Sequence, residues 1–280
     1  MLDNFSTGRR ENLKDFMNDI ELFEGDIRSY HTVNKAVKGV EVILHEAALP
    51  SVPRSINDPI TTNEVNVVGT INILDAARDQ NVRRVVFASS SSVYGDNPEL
   101  PKREDMMPNP LSPYAVSKLS GEKYCQVYSK LYEIETLVLR YFNVFGPRQD
   151  PNSQYSAVIP KFITAMKADK QPVIYGDGTQ SRDFTYVSNV VEANILAAES
   201  TLNSGAVMNC ATHGQVTLNE LVEKINNILE KDIKPVYKER RLGDIMHSYA
   251  AIELIKEKLN VNSIINFNDG LRATIELNIL

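Results

Sequence analysis

Short apolar runs alternate along the chain with segments in which apolar residues recur every three or four positions. The runs at 40–45, 85–89 and 136–140 are rich in β-forming residues and bounded by turn residues, so they predict buried parallel strands. The segments 66–78 and 114–132 carry apolar residues near one face and predict helices. Strand–helix–strand alternation of this kind predicts an α/β fold with a doubly wound parallel sheet.

Beyond residue 151 the elements become shorter and more mixed. The pattern predicts, in order, helix 155–167, a short strand running into a turn over 171–178, helix 184–200, strand 206–211 and helix 217–230. The last helix begins with Thr217, and Glu220 follows three residues later, which is the spacing of a capping box. We therefore expect a main domain and a smaller C-terminal domain, formed by 1–150 with about 184–212 and by 151–183 with 213–280.

The composition is that of an ordinary globular protein, with 42% hydrophobic and 24% charged residues among 280. A net charge of −6 argues against the broad basic surface that binds nucleic acid or anionic lipid. No apolar run approaches the length of a membrane span and no secretory signal is visible, so we expect a cytoplasmic protein. Cys125 and Cys210 predict two buried thiols, and the four histidines lack ligand spacing, so no metal site is expected.

Tyr114 and Lys118 form the first candidate chemical group. Residues four positions apart on a helix project from one face, one turn apart. A lysine in that place lowers the pKa of the phenol electrostatically, which makes tyrosine a usable base near neutral pH. The same spacing also arises by chance, and the alternative is an exposed lysine beside a tyrosine that packs in the core.

Four consecutive serines, 89–92, end the apolar strand that starts at Val85, and Val-Tyr-Gly-Asp follows them. In an open α/β sheet, ligands bind beyond the carboxyl ends of the strands. A serine hydroxyl placed there can donate a hydrogen bond to a reacting oxygen. The alternative is a flexible loop, but a serine run joined directly to an apolar strand is unlike a linker.

Eight stretches carry a resemblance to a known family. They read LDNFSTG at 2–8, GDIR at 25–28, HEAALPSVPRS at 45–55, SSSSVYGD at 89–96, SPYAVSK at 112–118, LRYFNVFGPRQDP at 139–151, SRDFTYV at 181–187 and RRLGD at 240–244. Together they resemble the extended short-chain dehydrogenase/reductase family, and within it the NAD-dependent nucleotide-sugar epimerases. The resemblance implies a Rossmann-like cofactor domain followed by a smaller α/β domain that binds the nucleotide sugar.

The resemblance implies NAD as the cofactor. Asp3 matches the acid that holds the adenosine ribose, which implies NAD rather than NADP, and Asp26 and Ile27 match the pair beside the adenine. The implied cofactor-binding residues are Asp3, Asn4, Ser6, Thr7, Gly8, Asp26, Ile27, Ala47, Ala48, Asn66, Ser89, Tyr114, Lys118 and Tyr141.

The resemblance also implies the chemistry. Tyr114 matches the catalytic base, Lys118 its partner, and Ser90 the serine that hydrogen-bonds the reacting oxygen. The base would take the proton of the sugar 4-hydroxyl while hydride leaves carbon 4 for NAD, and the 4-keto sugar would turn over before the hydride returns. The implied substrate-binding residues, whose two arginines suit a diphosphate, are Ser90, Ser91, Ser92, Tyr114, Asn143, Ala157, Val158, Arg182, Arg241, Asp244 and Ser248.

Three serines favour 4-epimerisation of acetylated sugars. Ser91 and Ser92 stand where the related 4,6-dehydratases carry an Asp–Glu pair that performs the elimination. Ser248 stands where epimerases restricted to plain hexoses carry a bulky residue, which leaves room for an acetamido group. We therefore expect action on UDP-GlcNAc/UDP-GalNAc and also on UDP-Glc/UDP-Gal, as in the bacterial and archaeal UDP-N-acetylglucosamine 4-epimerases. The alternatives are a UDP-glucuronate epimerase or decarboxylase, and a truncated, cofactor-deficient, inactive member of the family.

The start of the sequence departs from the family pattern. In a dinucleotide-binding fold, an acid such as Asp3 follows a glycine-rich phosphate loop by about 20 residues. We expect the chain to lack the first strand, the glycine-rich loop and the helix after it, about 30 residues in all. Loss of that strand, and of the helix terminus that receives the pyrophosphate, predicts poor NAD binding. Glu46, where Gln is expected, would add an unfavourable carboxylate near the pyrophosphate.

The expected partners follow from the same resemblance. A UDP-sugar is the implied substrate. A homodimer is implied, because the family commonly pairs through the helices that correspond to 66–78 and 114–132. Neither nucleic acid nor a membrane is expected as a partner, since the net charge is negative and no apolar span is present.

Overall fold

The structure, a computed structural model, describes residues 1–150, 157–202, 205–240, 246–262 and 264–277. The chain divides into two compact units, each with its own apolar core. Unit 1 comprises Met1–Gly95, Met107–Arg140 and Asn194–Met208, and unit 2 comprises Asp96–Met106, Tyr141–Ala193 and Asn209–Leu280. This division differs from the predicted boundaries at 96–106, 141–150, 184–193 and 209–212, which belong to unit 2.

Strands and helices alternate over most of the chain. The strands are β1 Leu2–Asp3, β2 Phe23–Glu24, β3 Val42–His45, β4 Arg84–Ser90, β5 Glu135–Tyr141, β6 Val144–Phe145, β7 Val173–Tyr175, β8 Ser181–Arg182, β9 Thr185–Tyr186, β10 Ala206–Cys210, β11 Val216–Thr217, β12 Val236–Lys238 and β13 His247–Ser248. The α-helices are α1 Tyr30–Ala36, α2 Val52–Asn57, α3 Pro59–Asn63, α4 Gly69–Asp79, α5 Pro113–Tyr132, α6 Val158–Lys167, α7 Val187–Glu199, α8 Leu218–Leu229, α9 Glu253–Leu259 and α10 Phe267–Leu277. Shorter helical turns lie at Arg10–Phe16, Glu64–Val68 and Ser91–Tyr94.

Most of the predicted elements are confirmed. The three predicted strands of the first half are β3, β4 and β5, which lie side by side in one sheet. The predicted capping box is present, since Thr217 Oγ1 accepts from Glu220 N at 3.1 Å and the Glu220 carboxylate accepts from Thr217 N at 2.8 Å. The helix predicted at 155–167 is α6, and its predicted start lies outside the described residues.

Two predicted helices begin later than expected. The helix expected from residue 184 starts at Val187, because Thr185 and Tyr186 pair with β6 as a parallel strand. The helix expected from Asn66 starts at Gly69, and the residues before it form a π-helical turn. At 185–186 a contact with another part of the chain overrides the local period, whereas 66–68 stay helical and differ only in the type of helix.

Unit 1 is built on a four-stranded sheet with the order β10-β5-β4-β3. β3 and β4 are parallel, with Val42 opposite Arg84 and His45 opposite Phe87. α1 packs on α4, and α5 packs on β4, so that helices cover the strands. The apolar side chains of these strands and helices form the core of the unit. This arrangement is α/β and Rossmann-like.

Two strands of unit 1, β1 and β3, each pair on one side only in the described part of the chain. Among the described residues, β1 pairs with β2 alone and β3 pairs with β4 alone. Leu44 in β3 is 46% exposed, although the side chains of a parallel strand are usually buried on both faces. In β4, by comparison, every residue from Arg84 to Ser89 is buried. Within the described ranges, β3 therefore has both an unpaired edge and, at Leu44, an exposed apolar side chain.

Unit 2 combines small sheets with a core rich in aromatic rings. β8 pairs with β11 and β13, β7 with β12, and β6 with β9. The ring of Phe145 lies 6.4, 5.7 and 5.4 Å from the rings of Phe184, Tyr186 and Phe267. In the part of the chain that the structure describes, each helix is too short or too polar to cross a membrane. The cytoplasmic location stays a prediction.

Candidate active site

Helix α5 carries the predicted base and its partner. Ser112 caps the helix, which therefore starts just before Tyr114. Gly121 allows a close approach to β4, because a Cβ at this position would lie 2.3 Å from Phe87 Cζ. Tyr114 and Lys118 consequently lie against the carboxyl end of β4, where an open α/β sheet binds its ligands.

Ser90, the last residue of β4, hydrogen-bonds the phenol of Tyr114. Its Oγ also accepts a hydrogen bond from Ser92 N at 3.2 Å, which leaves the hydroxyl proton for the phenol oxygen. Burial raises the pKa of Tyr114 above its usual value, while the bond from Ser90 opposes that rise. The structure thus brings together two of the three predicted catalytic side chains.

Lys118 is buried, and its Nζ donates to the backbone carbonyl of Ala88 at 2.7 Å. Burial lowers the pKa of Lys118 to about 8, and the carboxylate of Glu46 partly opposes that change. We expected Lys118 to lower the pKa of Tyr114, but in the chain alone that pKa is raised. Burial of the phenol is the largest cause of that rise, and the effect of Lys118 on the phenol stays a prediction.

Asn66, predicted to contact the cofactor, lies buried in the π-helical turn before α4. Its Nδ2 donates to Leu49 O at 3.1 Å and to Ser117 Oγ at 3.0 Å, and its Oδ1 accepts from Leu49 N at 2.7 Å. Ser117 in turn donates to the carbonyl of Tyr114 at 2.8 Å. The amide of Asn66 therefore braces the first turns of α5, and π-helical turns are frequent at functional sites.

A buried charged network, missed by the sequence patterns, lies one helical turn beyond Lys118. Glu122 is 0% exposed, and its carboxylate accepts from Ser89 Oγ at 2.5 Å and from Arg140 Nε and Nη2 at 2.9 and 2.7 Å. The Arg140 guanidinium also lies 4.7 Å from the centroid of the Tyr94 ring. Burial by itself would lower the pKa of Arg140, but the Glu122 carboxylate raises it above its usual value. The sequence signal that could have indicated Glu122 is its spacing, because it follows Lys118 by four residues on the same helix.

The predicted adenosine-binding residues lie at the carboxyl ends of β1 and β2. Asp3 Oδ1 accepts from Phe5 N at 2.7 Å, so its carboxylate is already oriented. Asn4 Nδ2 donates to Asp26 Oδ2 at 3.1 Å. The Arg28 guanidinium, hydrogen-bonded to Asp26, lowers the pKa of that carboxyl to about 2. The structure therefore joins Asn4 and Asp26 directly and holds Asp3 on the neighbouring strand.

The other predicted cofactor residues differ in exposure. Ile27 is buried against Gly69, where an added Cβ would lie 2.5 Å from Ile27 Cδ1. The exposed residues of this set are Ser6, Thr7, Gly8 and Ala47, and the half-buried ones are Ala48 and Tyr141. Their contact with NAD stays a prediction, as does that of the buried Ser89.

Four further predicted substrate residues are Ser91, Ser92, Arg241 and Asp244. Ser91 and Ser92 begin the helical turn after β4 and are half-buried. Within the described residues, Ser92 Oγ is buried and has no hydrogen-bond partner. Arg241 and Asp244, predicted to hold UDP, lie outside the described residues.

Unit 2 contains a cavity with a volume of about 520 Å³. The predicted substrate residues that line it are Asn143, Ala157, Val158 and Arg182. Its apolar walls include Phe145, Ile159, Phe162, Pro172, Val173, Phe184 and Leu218. The sequence patterns missed these walls, because the local period of an apolar residue does not tell a cavity lining from a core. An apolar cavity with few polar groups is typical of a small-molecule site.

The polar side chains of the cavity are partly held by the backbone. Asn143 Nδ2 donates to Asp183 O at 3.0 Å, and Arg182 Nη1 donates to two backbone carbonyls at 2.8 and 3.1 Å. Gln180, also missed by the sequence patterns, donates to a backbone carbonyl at 2.6 Å. The predicted specificity residue Ser248 lies opposite Arg182 in the β13–β8 pair. Arg182 and Lys161 thus bring positive charge to a cavity whose walls are mainly apolar, as an anionic ligand requires.

Comparison with known proteins gives a consistent set of relatives. A model of the family described as "NAD dependent epimerase/dehydratase family" matches residues 1–211. The UDP-glucose 4-epimerase of Mycolicibacterium smegmatis is 36% identical over 284 residues, which cover 98% of this chain and 88% of that protein.

Two solved structures resemble the whole chain. The UDP-N-acetylglucosamine 4-epimerase from Methanobrevibacter ruminantium M1, in complex with UDP-N-acetylmuramic acid, is 42% identical with a TM-score of 0.94, covering 99% of this chain and 88% of that one. The UDP-glucuronic acid 4-epimerase from Bacillus cereus, in complex with UDP-glucuronic acid and NAD, is 30% identical with a TM-score of 0.90, covering 99% of this chain and 89% of that one. Both are thus similar in sequence as well as in fold.

Proposed function

The chain belongs to the NAD-dependent epimerase/dehydratase family, and from that premise we propose that it is an NAD-dependent 4-epimerase of UDP-hexoses. The observation that carries the proposal is the Tyr114 phenol bonded to Ser90, with the buried Lys118 one turn along the same helix. This cluster combines a proton acceptor, a hydrogen-bond donor and a cation. Such a cluster suits the removal and return of a proton at the oxygen of a secondary alcohol during its reversible oxidation.

Each residue of the cluster has one task in the proposed reaction. Tyr114 takes the proton of the sugar 4-hydroxyl and later returns it. Ser90 hydrogen-bonds the same oxygen while it is a ketone and stabilises the charge that develops there. Lys118, whose pKa of about 8 keeps it mainly protonated at neutral pH, supplies the positive charge that favours the phenolate.

NAD is the proposed cofactor, and when bound it accepts and returns the hydrogen of carbon 4. The chain's residues fit its adenosine end, because the Asp3 carboxylate is oriented to accept from a ribose hydroxyl and Asn4 and Asp26 lie on the neighbouring loops. Tyr114 and Lys118 would hold the nicotinamide ribose. The relative from Bacillus cereus, which was solved with NAD, supports the same cofactor.

Weak binding of NAD by this chain is the next part of the proposal. In the described residues no strand lies on the open edges of β1 and β3, and the exposed Leu44 marks the edge of β3. Glu46, just after β3, is exposed and adds negative charge at the end of this strand. The NAD content of the purified chain measures this directly, and one NAD per chain after extensive dialysis would contradict it.

The cavity of unit 2 is the proposed site of the UDP half of the substrate. Its apolar walls suit a uracil ring, and Arg182 suits a phosphate. Binding of UDP is measurable by calorimetry without NAD, which separates this part of the proposal from the cofactor. Absence of UDP binding would refute it.

UDP-hexoses with and without an acetamido group are the proposed substrates. The small side chain of Ser248, opposite Arg182, supports room for the acetamido group. The second candidate is UDP-glucuronate, which is favoured by the similarity to the enzyme from Bacillus cereus. We expect turnover of UDP-GlcNAc and UDP-Glc in an assay with added NAD. Turnover of UDP-glucuronate alone would favour the second candidate, and turnover of none would refute both.

A homodimer through α5 completes the proposal. The outer face of α5 carries an exposed apolar stripe at helical spacing, formed by Val116, Tyr124, Val127 and Leu131. Ile60, on a helix packed against α5, is also exposed. Sedimentation of the chain should therefore give a dimer that Val127→Glu dissociates. Ile195→Glu, at an exposed apolar residue of α7, is the control and should leave the dimer intact.

A further inference from the structure

Two Arg–Glu pairs lie at opposite ends of β4 and β5, one partly exposed at Glu135 and the other, Arg140–Glu122, buried on both sides. At the amino ends, Arg84 Nε and Nη2 donate to the Glu135 carboxylate at 2.8 and 2.6 Å. At the carboxyl ends, Arg140 donates to Glu122, which comes from helix α5. The proposed chemistry lies at the carboxyl ends, so the two pairs have similar chemistry but a different relation to Tyr114.

The Glu122 pair joins three elements at the candidate site. Three successive residues of β4 each bond a residue on one face of α5: Ala88 with Lys118, Ser89 with Glu122 and Ser90 with Tyr114. The Glu122 contact extends further, to β5, through Arg140. Glu122 and Tyr114 are eight residues apart on one helix, which is about 12 Å along its axis. A rigid helix that is anchored at Glu122 therefore has a defined position at Tyr114 relative to the end of β4.

The carboxylate of Glu122 is suited to a role as a fixed anchor. It accepts from three donors on two strands and is shielded from solvent. The guanidinium fork of Arg140 restricts its orientation, because the two charge-assisted hydrogen bonds are parallel. A buried ion pair is weak evidence for net stability, since desolvation offsets much of the attraction. We therefore expect the Glu122–Arg140 pair to affect the geometry of the site more than the stability of the fold.

We propose that Glu122, held by Arg140, is a positioning residue that fixes Ser89 and thereby sets the hydrogen bond between Ser90 and Tyr114. Glu122 acts through these neighbours and does not touch the substrate. The inference rests on the proposed function, because the bond that it sets is the one assigned to proton transfer. Glu122→Gln retains the shape of the side chain but removes the charge that holds Arg140 and Ser89. The end of β4 then loses its fixed position relative to α5.

The test is carbon NMR of the whole chain labelled with ¹³C at the tyrosine Cζ, recorded at neutral pH without NAD. Loss of one resonance in Tyr114→Phe identifies the signal of Tyr114. Ser90→Ala then measures how far that signal moves when the serine bond is absent. We expect Glu122→Gln to move it in the same direction and by at least half as much. Arg140→Lys, which keeps the charge but not the fork, should give a smaller movement and serves as the second variant if Glu122→Gln does not fold.

Glu135→Gln is the matched control. It breaks the Arg84–Glu135 pair between β4 and β5, and Glu135 lies at the far end of β5 from the site. It should lower the melting temperature as Glu122→Gln does, yet leave the Tyr114 signal in place. A Tyr114 signal that does not move in Glu122→Gln, or that moves equally in Glu135→Gln, would overturn the proposal.

A kinetic measurement provides the second readout. It also distinguishes a failure of the positioning role of Glu122 from a failure of the proposed function. With added NAD, Glu122→Gln should lower kcat about tenfold, because a misplaced reacting group costs turnover, while KM stays within about twofold. The NMR result does not need turnover. If the wild type turns over no UDP-sugar, the proposed function fails, and the NMR signal still decides the positioning role of Glu122.

Discussion

The cluster around Tyr114 in unit 1 and the cavity of unit 2 differ in the kinds of side chain that form them. In the cluster, charged groups are buried and bonded to neighbouring elements, as Lys118 is to β4 and Glu122 is to Arg140. In the cavity, apolar walls dominate and the cation Arg182 is half-buried. The cluster therefore depends on orientation and on pKa values, whereas the cavity depends on shape and on the two cations Arg182 and Lys161. Substitutions in the first should change turnover, and substitutions in the second should change affinity.

The largest effect is expected for Tyr114→Phe, which removes the phenol hydroxyl and keeps the ring. Turnover of UDP-GlcNAc with added NAD should fall by about 10²–10⁴-fold, the usual contribution of a general base. The affinity for UDP, measured by calorimetry, should stay within about twofold because the variant does not alter the cavity. Equal losses of turnover and UDP affinity would break the distinction between the two regions.

Arg182→Ala is the matched change in the cavity. Its UDP affinity should fall by about 10- to 100-fold, as expected when a charged hydrogen bond worth about 1.5–3 kcal/mol is lost. Turnover at saturating UDP-sugar should change much less. Arg272→Ala removes an exposed arginine near Glu276 on α10 and should leave the affinity unchanged. If Arg182→Ala binds UDP as the wild type does, Arg182 has no role in the site.

Gly121→Ala tests how closely α5 must lie on β4. The added Cβ would meet Phe87 Cζ at 2.3 Å, so the helix or the ring must shift. The free energy of unfolding should fall by about 1–3 kcal/mol, as in other overpacked cores. Turnover should fall as well, while UDP affinity is retained. Ser120→Ala, on the same turn of the helix, is the control and should change the unfolding free energy by about 0.5 kcal/mol or less in denaturant titrations.

A pH dependence of stability identifies the buried cation of the cluster and has no direct counterpart in the cavity. Burial lowers the pKa of Lys118 to about 8 in the folded chain, from 10.5 for an ordinary lysine. Between these pH values the unfolded chain binds more protons, so Lys118 makes the free energy of unfolding rise with pH. The slope is at most about 1.4 kcal/mol per pH unit. The difference between wild type and Lys118→Met should show this rise between about pH 8 and 10.5, and a flat difference would mean that the ammonium group is not buried.

Local patterns predicted the two elements that carry the catalytic side chains. The observed β4 is one residue longer at each end than predicted, and α5 begins one residue earlier and ends as predicted. An apolar run and a helical period are properties of neighbouring residues, which is why they could be read locally. The predicted start of α7 was wrong because it depends on a contact between distant parts of the chain. Thr185 and Tyr186 pair with a strand some 40 residues earlier, and no local period contains that contact.

The amino-acid sequence by itself determined the spacing of Tyr114 and Lys118, the serines at the end of β4 and the capping box of α8. Each of these depends on residues only a few positions apart. The tertiary structure alone decided that Glu122 meets Arg140, that burial raises the pKa of Tyr114, and that unit 2 contains a cavity with apolar walls. Burial and long-range pairing depend on which elements pack together, and packing is a property of the folded chain as a whole.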